Sequence, residues 1–209
     1  NSTADLKYYR GIIIEKGFGT GTDIVGQVLN GCGLKEADEG YLFDKDKYKN
    51  FMGRITQSVG KNLSIGVLGY TGKALLPDPG MIFADITNDL KMTGTDIAIN
   101  FGDKFVLNMQ YLWRTDSQVF SKYGDYLSNI DTEGGFAELI YSPAGDRSKW
   151  YLTGLANLVN SNLDDLDYTS VTLHAGYLLR RNVRLVTEYT RLIEPVSYGK
   201  VSAGFVSAF

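Results

Sequence analysis

A single cysteine, Cys32, occurs in the 209 residues. That excludes an internal disulfide and any four-cysteine zinc site, and without a Cys-x-x-Cys-His run the chain carries no covalent haem of its own. There is one histidine, His174, and a catalytic zinc needs about three protein ligands. No apolar run approaches 18 residues, so no helix is predicted to cross a membrane. No basic-plus-apolar leader opens the sequence. Cations are in deficit: 21 Lys and Arg stand against 24 Asp and Glu, a net charge of −3, which offers no electrostatic footing for nucleic acid. Proline is scarce at 4 residues. Two further absences narrow the chemistry. There is no Gly-x-Ser-x-Gly nucleophile elbow, and "GFGTG" at 17–21 lacks both the spacing and the following helix of a dinucleotide fingerprint, so it reads as a turn.

What the chain has is tyrosine (14), glycine (24) and a period of two. Tyrosine favours strands, and glycine supplies tight turns. In "KFVLNMQYLWR", Phe105, Leu107, Met109, Tyr111 and Trp113 share one face, while Asn108, Gln110 and Arg114 share the other, with Val106 and Leu112 as exceptions. "TSVTLHAGYLLRR" sets Val171, Leu173, Ala175, Tyr177 and Leu179 against Thr172, His174, Gly176 and Arg180. "VRLVTEYT" sets Val183, Leu185 and Tyr189 against Arg184, Glu188 and Thr190. Eleven strands are predicted, at 6–18, 21–32, 49–59, 62–73, 91–101, 104–115, 133–142, 149–160, 169–180, 183–192 and 200–209. The run Ile12, Ile13, Ile14 hides the phase of the first.

The connections carry a second pattern. Short turns fall at 19–20, 60–61, 102–103, 142–148 and 181–182. Long polar segments fall between them, at 33–48, 74–90, 116–132, 161–168 and 193–199. A soluble sandwich has no reason to sort its loops this way, whereas an outer-membrane barrel has short periplasmic turns and long outer loops. Strands of about ten residues, at roughly 3.3 Å each and tilted near 45°, cover about 23 Å, close to the apolar band of such a membrane. Phe101, Phe105, Tyr141 and Trp150 flank short turns, and Tyr111, Trp113 and Tyr168 lie toward long ones, where interfacial aromatics belong.

"INFGDKFVLNMQYLWRTDSQ", "GGFAELIYSP", "LHAGYLLRRNVRLVTEYT" and the closing "KVSAGFVSAF" resemble porin-like outer-membrane proteins of Gram-negative bacteria. The resemblance implies an all-β, antiparallel up-and-down transmembrane β-barrel in the outer membrane, with residues 1–209 as one barrel domain. It implies passive passage of small solutes or ions through the lumen. The other roles it leaves open are a barrel that anchors or sheathes a partner such as a multihaem cytochrome, and an outer-membrane enzyme. Its partners would be outer-membrane lipid and lipopolysaccharide, the barrel-insertion machinery, and a second copy or another periplasmic or extracellular protein. Phe205 and Phe209 match the C-terminal insertion signal of such barrels, and Ser207 departs from it.

Parity assigns Arg54, Asp96, Arg114, Glu138, His174, Arg180, Arg184 and Glu188 to the lumen. Charges of both signs there can hold water and set ion preference; alternatively they pair with one another and fill a narrow interior. His174 has no nucleophile motif beside it, so it reads as a hydrogen-bonding wall residue. Asp164, Asp165 and Asp167, like "DKDKYK" at 44–49, read as solvated loop tips rather than cation ligands, and Cys32 as a bystander thiol. No cofactor is predicted. With Phe209 at the periplasmic side, counting eleven strands back puts the first strand's start outside. Single-chain bacterial barrels have even strand numbers, so the chain is expected to be the C-terminal part of a longer barrel.

Overall fold

The computed structural model describes residues 10–30, 47–76, 86–120, 125–163 and 166–207. Eleven strands follow one another: β1 (Arg10–Gly17), β2 (Thr22–Asn30), β3 (Asn50–Val59), β4 (Leu63–Leu75), β5 (Thr87–Phe101), β6 (Phe105–Phe120), β7 (Tyr126–Tyr141), β8 (Trp150–Ser161), β9 (Tyr168–Arg180), β10 (Val183–Glu194) and β11 (Tyr198–Ser207). Each pairs with its neighbours in sequence, so the sheet order runs from β1 to β11 without a crossover. A short 3-10 turn, Gly145–Arg147, lies between β7 and β8. Turns at Gly60 and Gly102 need φ near +65° and +62°, values that side-chain-bearing residues resist.

On β9 the predicted alternation holds from Ser170 to Tyr177. On β9, Val171, Leu173, Tyr177 and Leu179 are exposed, and Ser170, Thr172 and Gly176 are buried. On β4, Ile65, Val67 and Leu75 are exposed, against buried Leu68, Tyr70 and Ala74. The phase hidden by the isoleucine run is set by pairing. Ile12 and Ile14 oppose Val28 and Gly26 on the outward row, and Ile13 opposes Gln27 on the other. On this outward row Ile12, Ile14 and Val28 are exposed apolar side chains, an unusual arrangement for a protein dissolved in water.

Strand limits differ from the prediction at one end. β5 begins at Thr87, β6 runs on to Phe120, and β7 begins at Tyr126. The predicted long loop 116–132 is thus mostly paired strand. The last connection is only 195–197 instead of 193–199. The 142–149 connection is longer than either, so the connections do not alternate short and long without exception. In β6 both faces turn polar at Thr115, Asp116, Ser117 and Gln118, so the apolar row that marks a strand in sequence breaks off there while the backbone ladder continues.

By contact the chain forms two compact units. One contains β1, β2, most of β3, and adjoining stretches of β4–β7 at 66–94 and 112–132. Its inner side holds the buried apolar set Leu68, Tyr70, Ala74, Leu76, Leu90 and Ile130. The other contains 58–65, 95–111 and 133–209, hence β8–β11 entire.

Candidate functional site: the inward face of the strands

In the second unit, β8 to β11 stack their inward residues in register. Thr153, His174, Glu188 and Ser202 form one row, and Tyr151, Gly176, Val186 and Gly204 form the next. The rows are joined by hydrogen bonds. The Tyr151 hydroxyl lies 3.0 Å from His174 Nε2, and the two rings stack with centroids 5.5 Å apart. His174 Nδ1 faces Glu188 Oε2 at 3.6 Å. Glu188 accepts from Thr190 Oγ1 at 3.3 Å, and Thr190 meets Thr172 at 2.9 Å. Asn157 donates to Ser170 Oγ at 3.2 Å. The Arg184 guanidinium lies over the Tyr151 ring, 5.3 Å from its centroid. The result is a continuous polar track on the wall.

Gly176 makes the track possible. A Cβ there would come within 2.2 Å of Tyr151 Cε1, so only a glycine lets the ring lie flat across β9 and reach His174. In the same unit, Asn108 donates to Glu138 Oε2 at 2.9 Å.

The first unit holds a tighter cluster. Arg114 grips Asp116 through both Nε and Nη2, at 2.5 and 2.9 Å. Asn88 Nδ2 also donates to Asp116 Oδ1, at 2.5 Å, and the Asn88 carbonyl oxygen accepts from Gln118 N at 3.2 Å. Asp116 is only 2% exposed. This carboxylate is buried with three donors, the condition under which a buried charge is tolerated.

Of the eight charged or titratable residues that parity assigned inward, the structure joins His174, Glu188 and Arg184 around Tyr151. Arg114 and Glu138 are bound instead by Asp116 and Asn108. Arg54 lies half-buried on β3 beside exposed Ile55, and Asp96 half-buried on β5. Arg180 stands past a register shift between Val183 and Arg184, so strand parity does not carry to it. Phe205 opposes Leu185 on β11 and is 72% exposed. Phe209, Cys32, Asp164, Asp165 and residues 44–46 lie outside the described residues. Asp167 is described, and its carboxylate accepts from Ser161 N at 2.8 Å, closing its own loop. Sequence reasoning missed Tyr151, Gly176, Asn88 and Asp116. Asp116 was visible in principle, two residues from Arg114 on the same strand face. Among the described residues, no group of three or more His, Cys, Asp or Glu could hold a metal ion.

No protein-family model matches the chain, and no curated protein does. Solved structures do. A refined porin structure superposes with a TM-score of 0.70 at 12% identity, covering 97% of this chain and 62% of that one. An anion-selective porin from Comamonas acidovorans superposes with a TM-score of 0.60 at 14% identity, covering 94% and 54%. The eleven antiparallel strands thus have the fold of bacterial porins. The chain spans less than two thirds of the length of either.

Proposed function

We propose that these strands form part of the wall of an outer-membrane channel through which small solutes or ions diffuse passively. The observation that carries this reading is the two-sidedness of the porin-type sheet. Leu173, Tyr189 and Val201 present a continuous apolar row outward, while His174, Glu188, Thr172 and Thr190 line up polar groups on the reverse. A wall of this kind needs lipid on one side and water on the other.

The wall is completed by further strands. β1 and β11 each have one strand neighbour in the sheet order. In lipid an unpaired strand edge leaves backbone groups at several kcal/mol each, which closure alone removes. In eleven consecutive antiparallel strands the first and last run in the same direction. An odd number of additional strands is therefore needed to keep every pair antiparallel.

The test is conductance across a planar bilayer by the purified, folded protein. Stepwise, voltage-independent current with a selectivity that shifts in Glu188→Gln is expected. A sealed bilayer containing inserted protein would overturn the channel reading and leave an anchoring or sheathing barrel in its place.

A further inference from the structure

The second unit is strongly basic at one end. Its turns at 60–62, 102–104, 142–149 and 181–182 succeed one another along the sheet and all lie at the same ends of their strands. Asn100 N donates to Asn62 O at 2.8 Å, Ser142 N to Lys104 O at 2.8 Å, and Leu178 N to Lys149 O at 2.6 Å. These turns and their flanks carry Lys61, Lys104, Arg147, Lys149, Arg180 and Arg181 against only Asp103 and Asp146. The rest of the chain has fifteen cations to twenty-two carboxylates, from totals of 21 and 24. All six side chains are exposed. None of the six has an ion pair among the described residues. A concentration of unneutralised cations in an acidic protein calls for an anionic partner.

The outward face next to these turns shows which one. Phe105 stacks on Tyr141 with centroids 4.7 Å apart, and Tyr141 meets Trp150 edge-on at 5.7 Å. Trp150 opposes Tyr177, which opposes Leu185, which opposes Phe205. This belt crosses six strands. Lys104 and Lys149 directly precede Phe105 and Trp150, so the cations stand just past the aromatic belt on the turn side. Aromatic rings at the edge of the hydrocarbon with cations just beyond them form the arrangement that holds lipid headgroups. A soluble anion would have no use for the belt.

We propose that this basic collar, resting on the membrane-spanning reading above, selectively binds anionic phospholipid headgroups of the leaflet on the short-turn side. The cations provide the preference for a net negative headgroup, and Trp150 and Tyr177 seat its glycerol backbone.

The two tryptophans provide the test. Trp113→Phe leaves Trp150 as the sole indole, beside the collar. The variant is reconstituted in phosphatidylcholine vesicles containing brominated phosphatidylglycerol or brominated phosphatidylcholine, and quenching of Trp150 is measured. At low salt phosphatidylglycerol should be preferred by about fivefold or more, the worth of one cation–headgroup contact of about 1 kcal/mol. Salt at 0.5 M should erase most of the preference. The fourfold variant Lys104→Gln, Arg147→Gln, Lys149→Gln, Arg181→Gln, which keeps only Lys61 and Arg180 of the six, should lower the ratio severalfold. If that variant does not fold, the salt series on the parent protein carries the test. Trp150→Phe, which reports from Trp113 further along β6, should show no preference. Equal quenching of Trp150 by both lipids would overturn the collar. So would a preference abolished by inorganic phosphate at fixed ionic strength, which would mark a site for a soluble anion. Absence of quenching by either lipid would instead overturn the membrane-spanning reading beneath it.

Discussion

Two glycines separate the parts of the structure that must stay fixed from those that can move. At Gly135 an added Cβ would come within 2.1 Å of the Gln110 carbonyl oxygen, a backbone atom of the neighbouring strand. At Gly176 it would meet the far end of the Tyr151 ring. Backbone cannot yield without parting the ladder, but a tyrosine ring can rotate. Gly135→Ala is expected to destabilise the protein by about 1–3 kcal/mol, the usual range for overpacking. Gly176→Ala should cost less than about 1 kcal/mol while swinging Tyr151 off His174 and changing channel conductance. Denaturant unfolding and single-channel recording on the two variants check both halves. The Arg114–Asp116 pair behaves in a third way. Arg114→Ala strands a carboxylate that is 2% exposed, and loss of one partner from a buried pair costs about 3–5 kcal/mol. The guanidinium keeps a side-chain exposure of 27%, so roughly 2 kcal/mol is the expected loss, measured as a fall in the unfolding midpoint. His174→Ala, on a more open stretch of wall, should lower the midpoint less.

At the scale of the strand, the reading from sequence was reliable where one face carries an apolar row and unreliable where neither does. The alternation that sets His174, Glu188 and Arg184 on the face opposite Leu173 and Leu185 was legible, because an apolar row leaves no doubt about phase. The extensions of β6 to Phe120 and of β7 back to Tyr126 were not. Thr115–Gln118 are polar on both faces, and in the β7 extension Tyr126, Leu127 and Ile130 do not share one face, so no apolar row of a single parity marks either stretch. The Tyr151–His174 contact was hidden for a different reason: it depends on cross-strand register, which brings Gly176 opposite Tyr151. No single strand contains that information. The apolar rows give their own prediction. Leu173, 62% exposed at the centre of β9, should tolerate Ile or Val, whereas Leu173→Arg is expected to cost about 2–4 kcal/mol in lipid. Reversible urea unfolding from liposomes measures the difference. Equal tolerance of arginine at 172 and 173 would show that the two faces had been exchanged.

For the molecule as a whole, the edges matter most. β11 is exposed along its whole length, with Val201 at 73%, Phe205 at 72% and Val206 at 58%, and these three residues represent both of its faces. If further strands complete the wall as proposed, amide hydrogen exchange of the protein in lipid should find β11 as strongly protected as β9. Fast exchange confined to β11 would mean an open edge and would count against closure. The long strands have a further consequence. β6 and β7 have 16 residues each, which at roughly 3.3 Å per residue and 45° tilt rise about 37 Å, against an apolar band of about 25 Å. In the proposed membrane-spanning wall their far ends would therefore reach into the medium as hydrogen-bonded ribbon. A protease must draw a substrate out into an extended, unpaired form before cutting it, and exposed loop tips meet that condition far better than paired strand does. If the proposed channel wall has its long connections outside, trypsin added to intact cells should accordingly spare Arg114, although β6 continues for six residues past it. The surface that such a protein shows to degrading enzymes, phages or antibodies would be decided as much by its backbone ladder as by its loops.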